Sequence, residues 1–359
     1  MAVSTTKVVV ISIFLILGMV LAGVLMQPEA SFQAWDIKES DFPANDSAKE
    51  KLSFLLNYAI LAPSSHNSQP WKFNVTNDSI LVFADKTRQL TVADADQREL
   101  YISLGCALEN LIVAADHFGY NSSVVYFPGE KDLAAKVVLQ PAVNSSGDPR
   151  LFSAILSRQT NRNPYEPREI SEADLETIKG LSSDAGVSVF ITRDSGIKKS
   201  FQDLVMQANA IQYSDVNFKS ELGHWLGQGV MGPTGVRAKM AQLAVVFLDV
   251  GPQQSKKDAD LINSTPYLGF ISTANNDSIS SVKAGMVLER FWLAATALGI
   301  SLHPMSQALE TAQTKAEIAE LLPAQPGMMQ VQQAFRLGYG KEEVVHSTRR
   351  PLQEVLITQ

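Results

Sequence analysis

The chain has 359 residues, of which 45% are hydrophobic, so it is long enough for two domains or for one large unit with a substantial core. Its 37 acidic residues outnumber its 30 basic ones, for a formal net charge of −7, and no basic stripe stands out, so we expect no nucleic acid partner. The single cysteine, Cys106, excludes an intrachain disulfide, and its apolar surroundings favour a small buried side chain over a reactive thiol.

The first feature in chain order is an uncharged run at residues 8–26. About twenty apolar residues cross a bilayer, so the run predicts a transmembrane anchor. The alternative is a signal peptide, for which V-L-A at 20–22 is a weak cleavage site, but the run is longer than a typical signal core. Lys7 before the run, with Glu29 and Asp36 after it, predicts a cytoplasmic amino end and an extracytoplasmic body.

Residues 27–46 lack a hydrophobic period and are predicted to be a linker between the anchor (1–26) and a first half at 47–148. A capping box, S-A-K-E at 47–50, predicts a helix that begins there. The other elements predicted in this half are strands at 71–75 and 79–84, a helix within 94–118, and short strands at 124–127 and 137–139. A polar break at 144–149 suits a boundary.

Residues 149–359 are predicted to form a second half. Its expected elements are a helix capped at Ser171, strands at 187–191 and 244–248, a long helix near 282–298, and a final strand ending in L-G-Y-G at 337–340. Six residues between 105 and 119 recur at an offset of 180 positions, from Gly105 and Gly285 onward. So long an offset predicts a duplicated domain whose equivalent helices pack about a pseudo-twofold axis.

The most specific stretch is A-P-S-S-H-N-S-Q-P-W at residues 62–71. Its two prolines end the preceding helix and hold the segment in one fixed loop. Ser64, Ser65, Asn67 and Gln69 offer neutral donors and acceptors, which suit a polar, uncharged ligand edge. The alternative is a turn whose side chains bind their own backbone.

A second cluster of candidate residues is cationic. Arg158, Thr160 and Arg162 lie within five residues, and Arg349 and Arg350 follow near the end of the chain. Guanidinium groups match phosphate oxygens, so this set suits a phosphomonoester. The alternative is surface pairing with nearby acids, namely Glu166, Glu169 and Glu354.

Other patterns exclude common classes of site. G-x-G-x-x-G at 227–232 lacks the preceding strand and the full following helix of a dinucleotide fold, so 220–239 is interpreted as a mobile loop or lid. The five histidines have no metal-ligand spacing, and no metal site is expected. Without a G-x-S-x-G elbow, Ser64 or Ser65 beside His66 does not predict a hydrolase.

The loop at 62–71 resembles the signature loop of FMN-dependent nitroreductases, and most closely that of the Acg-like branch. R-Q-T at 158–160 resembles the Arg-x-Ser motif of that family, with Thr160 in place of serine. The resemblance, from about residue 48 onward, implies an α+β, nitroreductase-like, three-layer α-β-α fold in which two tandem related halves form an intramolecular pseudo-dimer. Because each motif occurs in only one half, the resemblance also implies one complete flavin site.

The resemblance further implies which residues bind FMN. Those expected at its phosphate and ribityl chain are Arg158, Thr160 and Arg349 or Arg350, and Arg162 and Gly338 are further expected FMN contacts. Those expected near the ribityl and ring edge are Ser64, Ser65, Asn67 and Gln69. A loop at 298–307 with His303, Pro304 and Ser306 is expected near the reactive N5.

No side chain is expected to be catalytic, because the flavin carries the hydride. The expected reaction is ping-pong transfer from NAD(P)H to a nitroaromatic, quinone or similar acceptor. A competing expectation is FMN storage beneath a lid at 220–239, with little turnover, and a third is a flavin-free, colourless remnant.

Overall fold

The computed structural model describes residues 18, 31–142, 147–182, 184, 186–323, 327, 330–341 and 345–357. Apart from Gly18, the predicted membrane segment lies outside this part of the chain. Among the described residues, no helix combines the length and apolar character that a membrane span requires. The described part of the predicted linker forms two short 3-10 turns, from which Trp35 and Phe42 pack against the core.

The first half contains α1 (Ala48–Ala59), β1 (Trp71–Val75), β2 (Ser79–Ala84), α2 (Arg98–His117), β3 (Tyr120–Tyr126) and β4 (Leu133–Pro141). The predicted capping box is confirmed, since the Ser47 hydroxyl accepts from the Glu50 N–H and the Glu50 carboxylate accepts from the Ser47 N–H. The predicted strands at 71–75 and 79–84 are also confirmed, and they pair with each other as an antiparallel hairpin. The last two strands are longer than predicted, because their pairing continues over polar residues of the edge strand β3 and over the apolar residues that begin β4.

The second half contains α3 (Pro149–Ser157), α4 (Glu172–Leu181), β5 (Val187–Thr192), α5 (Ser195–Ser214), α6 (Val216–Gly227), α7 (Gly235–Phe247), α8 (Gly251–Ser264), β6 (Tyr267–Thr273), α9 (Ser278–Ala297), β7 (Ser301–Pro304), α10 (Ala312–Leu321), β8 (Gln330–Gly338) and α11 (Leu352–Val355). The predicted strand at 244–248 is wrong: an alanine-rich segment starts a helix that extends through Val245 and Val246. The predicted loop at 298–307 includes β7, so His303 and Pro304 lie in a strand.

Two four-stranded antiparallel sheets have the same strand order, β1-β2-β4-β3 in the first half and β5-β6-β8-β7 in the second. Helices α2 and α9 pack against each other, and each contacts the sheet of its own half. In the second half, α5 covers the opposite face of the sheet, where Phe201 meets Phe270 edge to face. The three predicted layers are therefore seen in this half, whereas alternate residues of the first sheet are only half-buried.

Helices α2 and α9 approach each other closely at Gly105 and Gly285. A Cβ atom at Gly105 would collide with the carbonyl of Val282, and one at Gly285 would collide with the carbonyl of Ile102. These two contacts are equivalent under the 180-residue offset. Only glycine allows backbones to come this close, so both positions fix how the halves pack.

Candidate functional site

Residues from both halves line a cavity of about 690 Å³. One face of α2 contributes Glu99, Ile102, Ser103 and Cys106, and one face of α8 contributes Gln253, Gln254, Lys257, Asp258 and Leu261. Spacings of three and four residues place each set on one side of its helix. The Cys106 thiol is buried, and burial raises its pKa well above the ordinary value, which agrees with the interpretation as an unreactive side chain.

Seven of the residues predicted to bind a ligand line this cavity: Ser64, Ser65, Thr160, Arg162, His303, Pro304 and Ser306. They come from both halves of the chain. The other six predicted residues do not line it: Asn67, Gln69, Arg158, Gly338, Arg349 and Arg350. Gly338 ends β8 against Pro266 and Tyr165.

The signature loop adopts an unusual backbone. His66, Asn67 and Gln69 all have left-handed conformations, with φ of 49°, 50° and 52°. Such conformations cost free energy in residues other than glycine, and they persist where surrounding contacts hold them. The Ser64 hydroxyl accepts from the Gln69 N–H at 2.9 Å, and the Gln69 amide oxygen accepts from the Arg350 N–H at 2.7 Å. Asn67 and Gln69 thus shape the loop, while Ser64 and Ser65 face the cavity.

Arg158 and Arg349 were expected at a phosphate but lie buried behind the signature loop. Both guanidinium groups donate to the Leu61 carbonyl, at 3.2 and 2.8 Å. The Arg158 Nε lies 3.1 Å from the buried Glu289 carboxylate, and the Arg349 Nη1 donates to Asn67 Oδ1 at 3.2 Å. Internal partners therefore keep these two arginines out of the cavity.

Arg162 differs from its neighbour Arg158. Its side chain is exposed to the cavity and forms no hydrogen bond or ion pair with the residues that the structure describes. Lys257 on α8 lines the same cavity and likewise has no such partner within the described ranges. Asp258 beside them accepts from the side-chain amides of three residues, Asn209, Gln254 and Gln307. The Asp258 carboxylate attracts both cations without forming a direct ion pair, so the two cations and one carboxylate together leave a positive charge that suits an anionic group.

His303 lines the cavity as a neutral imidazole. Burial, together with Arg336, holds its pKa well below the ordinary value. The Arg336 guanidinium lies 3.0 to 3.2 Å from its Nδ1, which must therefore accept. The proton then resides on Nε2, so His303 offers one N–H donor.

An acidic cluster lies elsewhere along the wall. Burial, followed by the neighbouring Glu99, raises the pKa of Glu310 to about 8, so this carboxyl is mostly protonated at neutral pH. Gln212 donates to it at 2.5 Å. Glu99 itself pairs with the buried Arg98 at 2.8 Å.

The cavity is covered by the hairpin of α6 and α7, which we call the cap (residues 216–247). The cap contributes an apolar wall that includes Phe218, Leu222 and Val245. Its Glu221 carboxylate accepts from the N–H groups of Val92 and Ala93 at 2.9 to 3.2 Å. The predicted lid at 220–239 is therefore mostly two helices, joined by a short glycine-rich turn.

Sequence reasoning missed Lys257 and the amides that surround it. Gln212, Gln253, Gln254, Gln307 and Gln333 all line the cavity. On α8 a signal existed, because its polar residues recur at spacings of three and four, which marks one helix face. Nothing in the sequence indicated that this face meets the signature loop.

No family model matches the chain. It is 28% identical over 275 residues to the provisionally named NAD(P)H nitroreductase Rv3131 of Mycobacterium tuberculosis, covering 74% of this chain and 79% of that protein. It is 26% identical over 309 residues to the provisionally named nitroreductase acg of the same organism, covering 83% and 92%. A solved structure of the FMN-dependent nitroreductase NfnB of Mycobacterium smegmatis, in complex with NADPH, aligns with a TM-score of 0.40 at 14% identity, over 59% of this chain and 98% of that one. The sequence matches confirm that this chain resembles the NAD(P)H nitroreductases, in the Acg-like branch of that family.

Proposed function

We propose that this chain is an FMN-dependent oxidoreductase that takes hydride from NAD(P)H and passes it to a nitroaromatic, quinone or similar acceptor. The observation that carries the proposal is the meeting of Ser64 and Ser65 from the first half with Thr160, Arg162 and His303 from the second half around one cavity. These are residues that the resemblance assigned to a single flavin site. Relatives named as NAD(P)H nitroreductases support the same reaction class.

The chemistry of the lining suits FMN. At about 690 Å³ the cavity falls within the usual range for small-molecule sites, and it combines apolar walls with a few polar groups. Arg162 and Lys257 are the cations that would hold the phosphate, and the hydroxyls of Ser64, Ser65 and Thr160 suit a ribityl chain. When bound, FMN supplies the hydride chemistry.

The remaining residues bind and orient the group. His303 offers an N–H donor. Gln307 Nε2 donates to Asp258 and Gln333 Oε1 accepts from Ser306, so the amide oxygen of Gln307 and the amide nitrogen of Gln333 are the atoms that suit a heterocyclic edge. The cap gives apolar surfaces against which an aromatic ring can pack. No side chain is required as acid or base in this account.

The proposal includes an internal pseudo-dimer. The equal strand order of the two sheets and the reciprocal contacts of Gly105 and Gly285 support it. Glu109 and Glu289, also 180 positions apart, each lie against an arginine, Arg290 and Arg158 respectively. We further propose that residues 8–26 anchor the body to a membrane, with the body on the extracytoplasmic side.

A second candidate function is FMN storage, which the closed cap favours. The Glu221 contacts and the donation from Asn67 Nδ2 to the Val230 carbonyl at 2.7 Å hold the cap over the cavity. If the cap stays closed, a nicotinamide cannot reach the flavin. Reduced nicotinamide would also be scarce around an extracytoplasmic body.

Anaerobic mixing distinguishes the two candidates. The full chain in detergent, loaded with FMN, is mixed with NADPH or NADH in a stopped-flow spectrometer and then with a quinone. The proposed oxidoreductase loses its flavin absorbance within seconds and regains it on reoxidation. A flavin that resists both nicotinamides and yields only to dithionite contradicts turnover and supports storage.

A further inference from the structure

Helix α7 of the cap has two apolar faces. One contains Ala238 and Val245, which are buried in the protein. The other contains Val236, Met240 and Phe247, which are 51%, 63% and 75% exposed. With the half-buried Leu243, these side chains recur at spacings of four, three and four residues, so they form one stripe along the outer side of the helix.

This stripe has basic neighbours. Arg237 and Lys239 lie between its first two members, and no acidic residue occurs at positions 235–248 in a chain whose net charge is −7. Helices that lie in the surface of an anionic bilayer combine large apolar residues with lysine and arginine in this way. The stripe alone would suit several partners, but the local charge favours an anionic surface.

A series of hydrogen bonds connects Ser31 to the turn that precedes this helix. The Ser31 carbonyl accepts from the Arg349 N–H at 2.9 Å, Arg349 donates to Asn67 at 3.2 Å, and Asn67 donates to the Val230 carbonyl at 2.7 Å. Val230 precedes α7 by five residues. Only four residues separate Ser31 from the uncharged run that ends at residue 26, and the five Cα–Cα steps between residues 26 and 31 span at most about 18 Å.

We propose that the outer face of α7 docks on the surface of an anionic lipid bilayer. A run inserted at residues 8–26 would bring the bilayer close to the turn before α7, and the stripe would then bury Met240 and Phe247 among the lipids. The inference rests on the proposed anchor but not on the flavin. The proposed partner of this helix face is lipid, and not a second copy of the chain or the uncharged run itself.

A single introduced cysteine tests the contact, because Cys106 is buried and leaves no other thiol. The full-length Met240→Cys protein is labelled with an environment-sensitive fluorophore and reconstituted into vesicles of equal parts phosphatidylcholine and phosphatidylglycerol. Lipids brominated on their acyl chains then serve as quenchers. The matched control is Val125→Cys, an exposed apolar position on β3 of the other sheet.

Docking predicts quenching of the label at position 240 and not at 125. Loss of either basic residue, in Arg237→Gln or Lys239→Gln, should lower the ratio of docked to undocked protein about fivefold. The proposal is overturned if the protein floats with the vesicles while the label at 240 is unquenched, or if both labels are quenched alike. The proposal is also overturned if the label at 240 is shielded from water in the absence of lipid, because self-association or the uncharged run would then cover this face.

Discussion

The arginines of the second half differ in what surrounds them, and this predicts separate effects of their loss. Arg162 has no ion-pair partner among the described residues, so Arg162→Ala should lower FMN affinity while leaving the free energy of unfolding nearly unchanged. A charge-assisted hydrogen bond contributes about 1.5–3 kcal/mol, or roughly a ten- to hundredfold change in affinity. Fluorescence titration with FMN measures the affinity, and Arg150→Ala, at an exposed arginine outside the cavity, is the control.

Arg158→Ala should act on stability instead. Removal of the Arg158 side chain leaves the buried Glu289 carboxyl without the cation that pairs with it. We expect the free energy of unfolding to fall by about 3 kcal/mol, the lower end of the range for broken buried ion pairs, because Glu289 can take up a proton. Urea unfolding measures this loss. If Arg158→Ala unfolded like the native chain but failed to bind FMN, the assignment of the two arginines would be reversed.

Glu310 should make stability depend on pH. Its pKa, raised to about 8 by burial and by Glu99, exceeds the ordinary value of 4.5, so the folded chain binds this proton more tightly than the unfolded chain does. The contribution to stability is therefore complete below about pH 4.5 and is lost as pH rises to about 8. Glu310→Gln should flatten the fall in unfolding free energy across that range. Urea unfolding at several pH values tests this; an unchanged slope, equal to that of the exposed control Glu320→Gln, would exclude Glu310 as its source.

At the scale of elements, the crossing of α2 and α9 should tolerate no side chain at its glycines. In Gly105→Ala the new methyl group meets the Val282 carbonyl, so the helices must separate, with a loss of about 3 kcal/mol or more of unfolding free energy. Gly180→Ala in α4 is the matched control, because a Cβ there meets no heavy atom within 4 Å and alanine favours the helix. Thermal unfolding should thus shift down in the first variant and slightly up in the second, and equal shifts would contradict the account.

The cap should open more readily when its carboxylate contact is removed. Glu221→Ala deletes the acceptor for the Val92 and Ala93 N–H groups, while Ser220→Ala changes an exposed neighbour on the same helix. We expect Glu221→Ala to speed FMN release about tenfold, because the charged hydrogen bonds contribute about 1.5 kcal/mol or more to the closed form. Stopped-flow mixing with an excess of apoprotein, which captures the released FMN, measures the release rate. Equal release rates in the two variants would mean that Glu221 does not hold the cap.

Secondary structure could be predicted from the sequence where local signals agreed. The capping box at Ser47 indicates only a helix start, and the alternating residues of β1 and β2 indicate only strands. The β-branched residues at 244–248 favour a strand in the sequence. In the structure these residues continue the helix α7, because the helix begins upstream and the burial of Val245 stabilises it. Tertiary contacts that no local pattern encodes explain such errors.

For the molecule as a whole, one hydrophobic core joins the halves. The same buried cluster contains Leu55 and Trp71 from the first half and Phe291 and Phe335 from the second. The candidate site likewise needs both halves. Seven of the thirteen residues that the sequence analysis selected line the cavity. The pairing of Arg158 with Glu289 and the position of Lys257 in the lining depend on helix packing across the chain.

The most direct test of the central claim is an absorbance titration of the purified full-length chain with FMN. We predict a bound-flavin spectrum for the native chain, its loss in Ser65→Trp, which projects a bulky ring into the cavity, and its retention in Ser153→Trp, at an exposed position on α3. Thermal unfolding of both variants verifies that they fold. A native chain that takes up no FMN, or a folded Ser65→Trp variant that binds FMN as well as the native chain does, would contradict the claim.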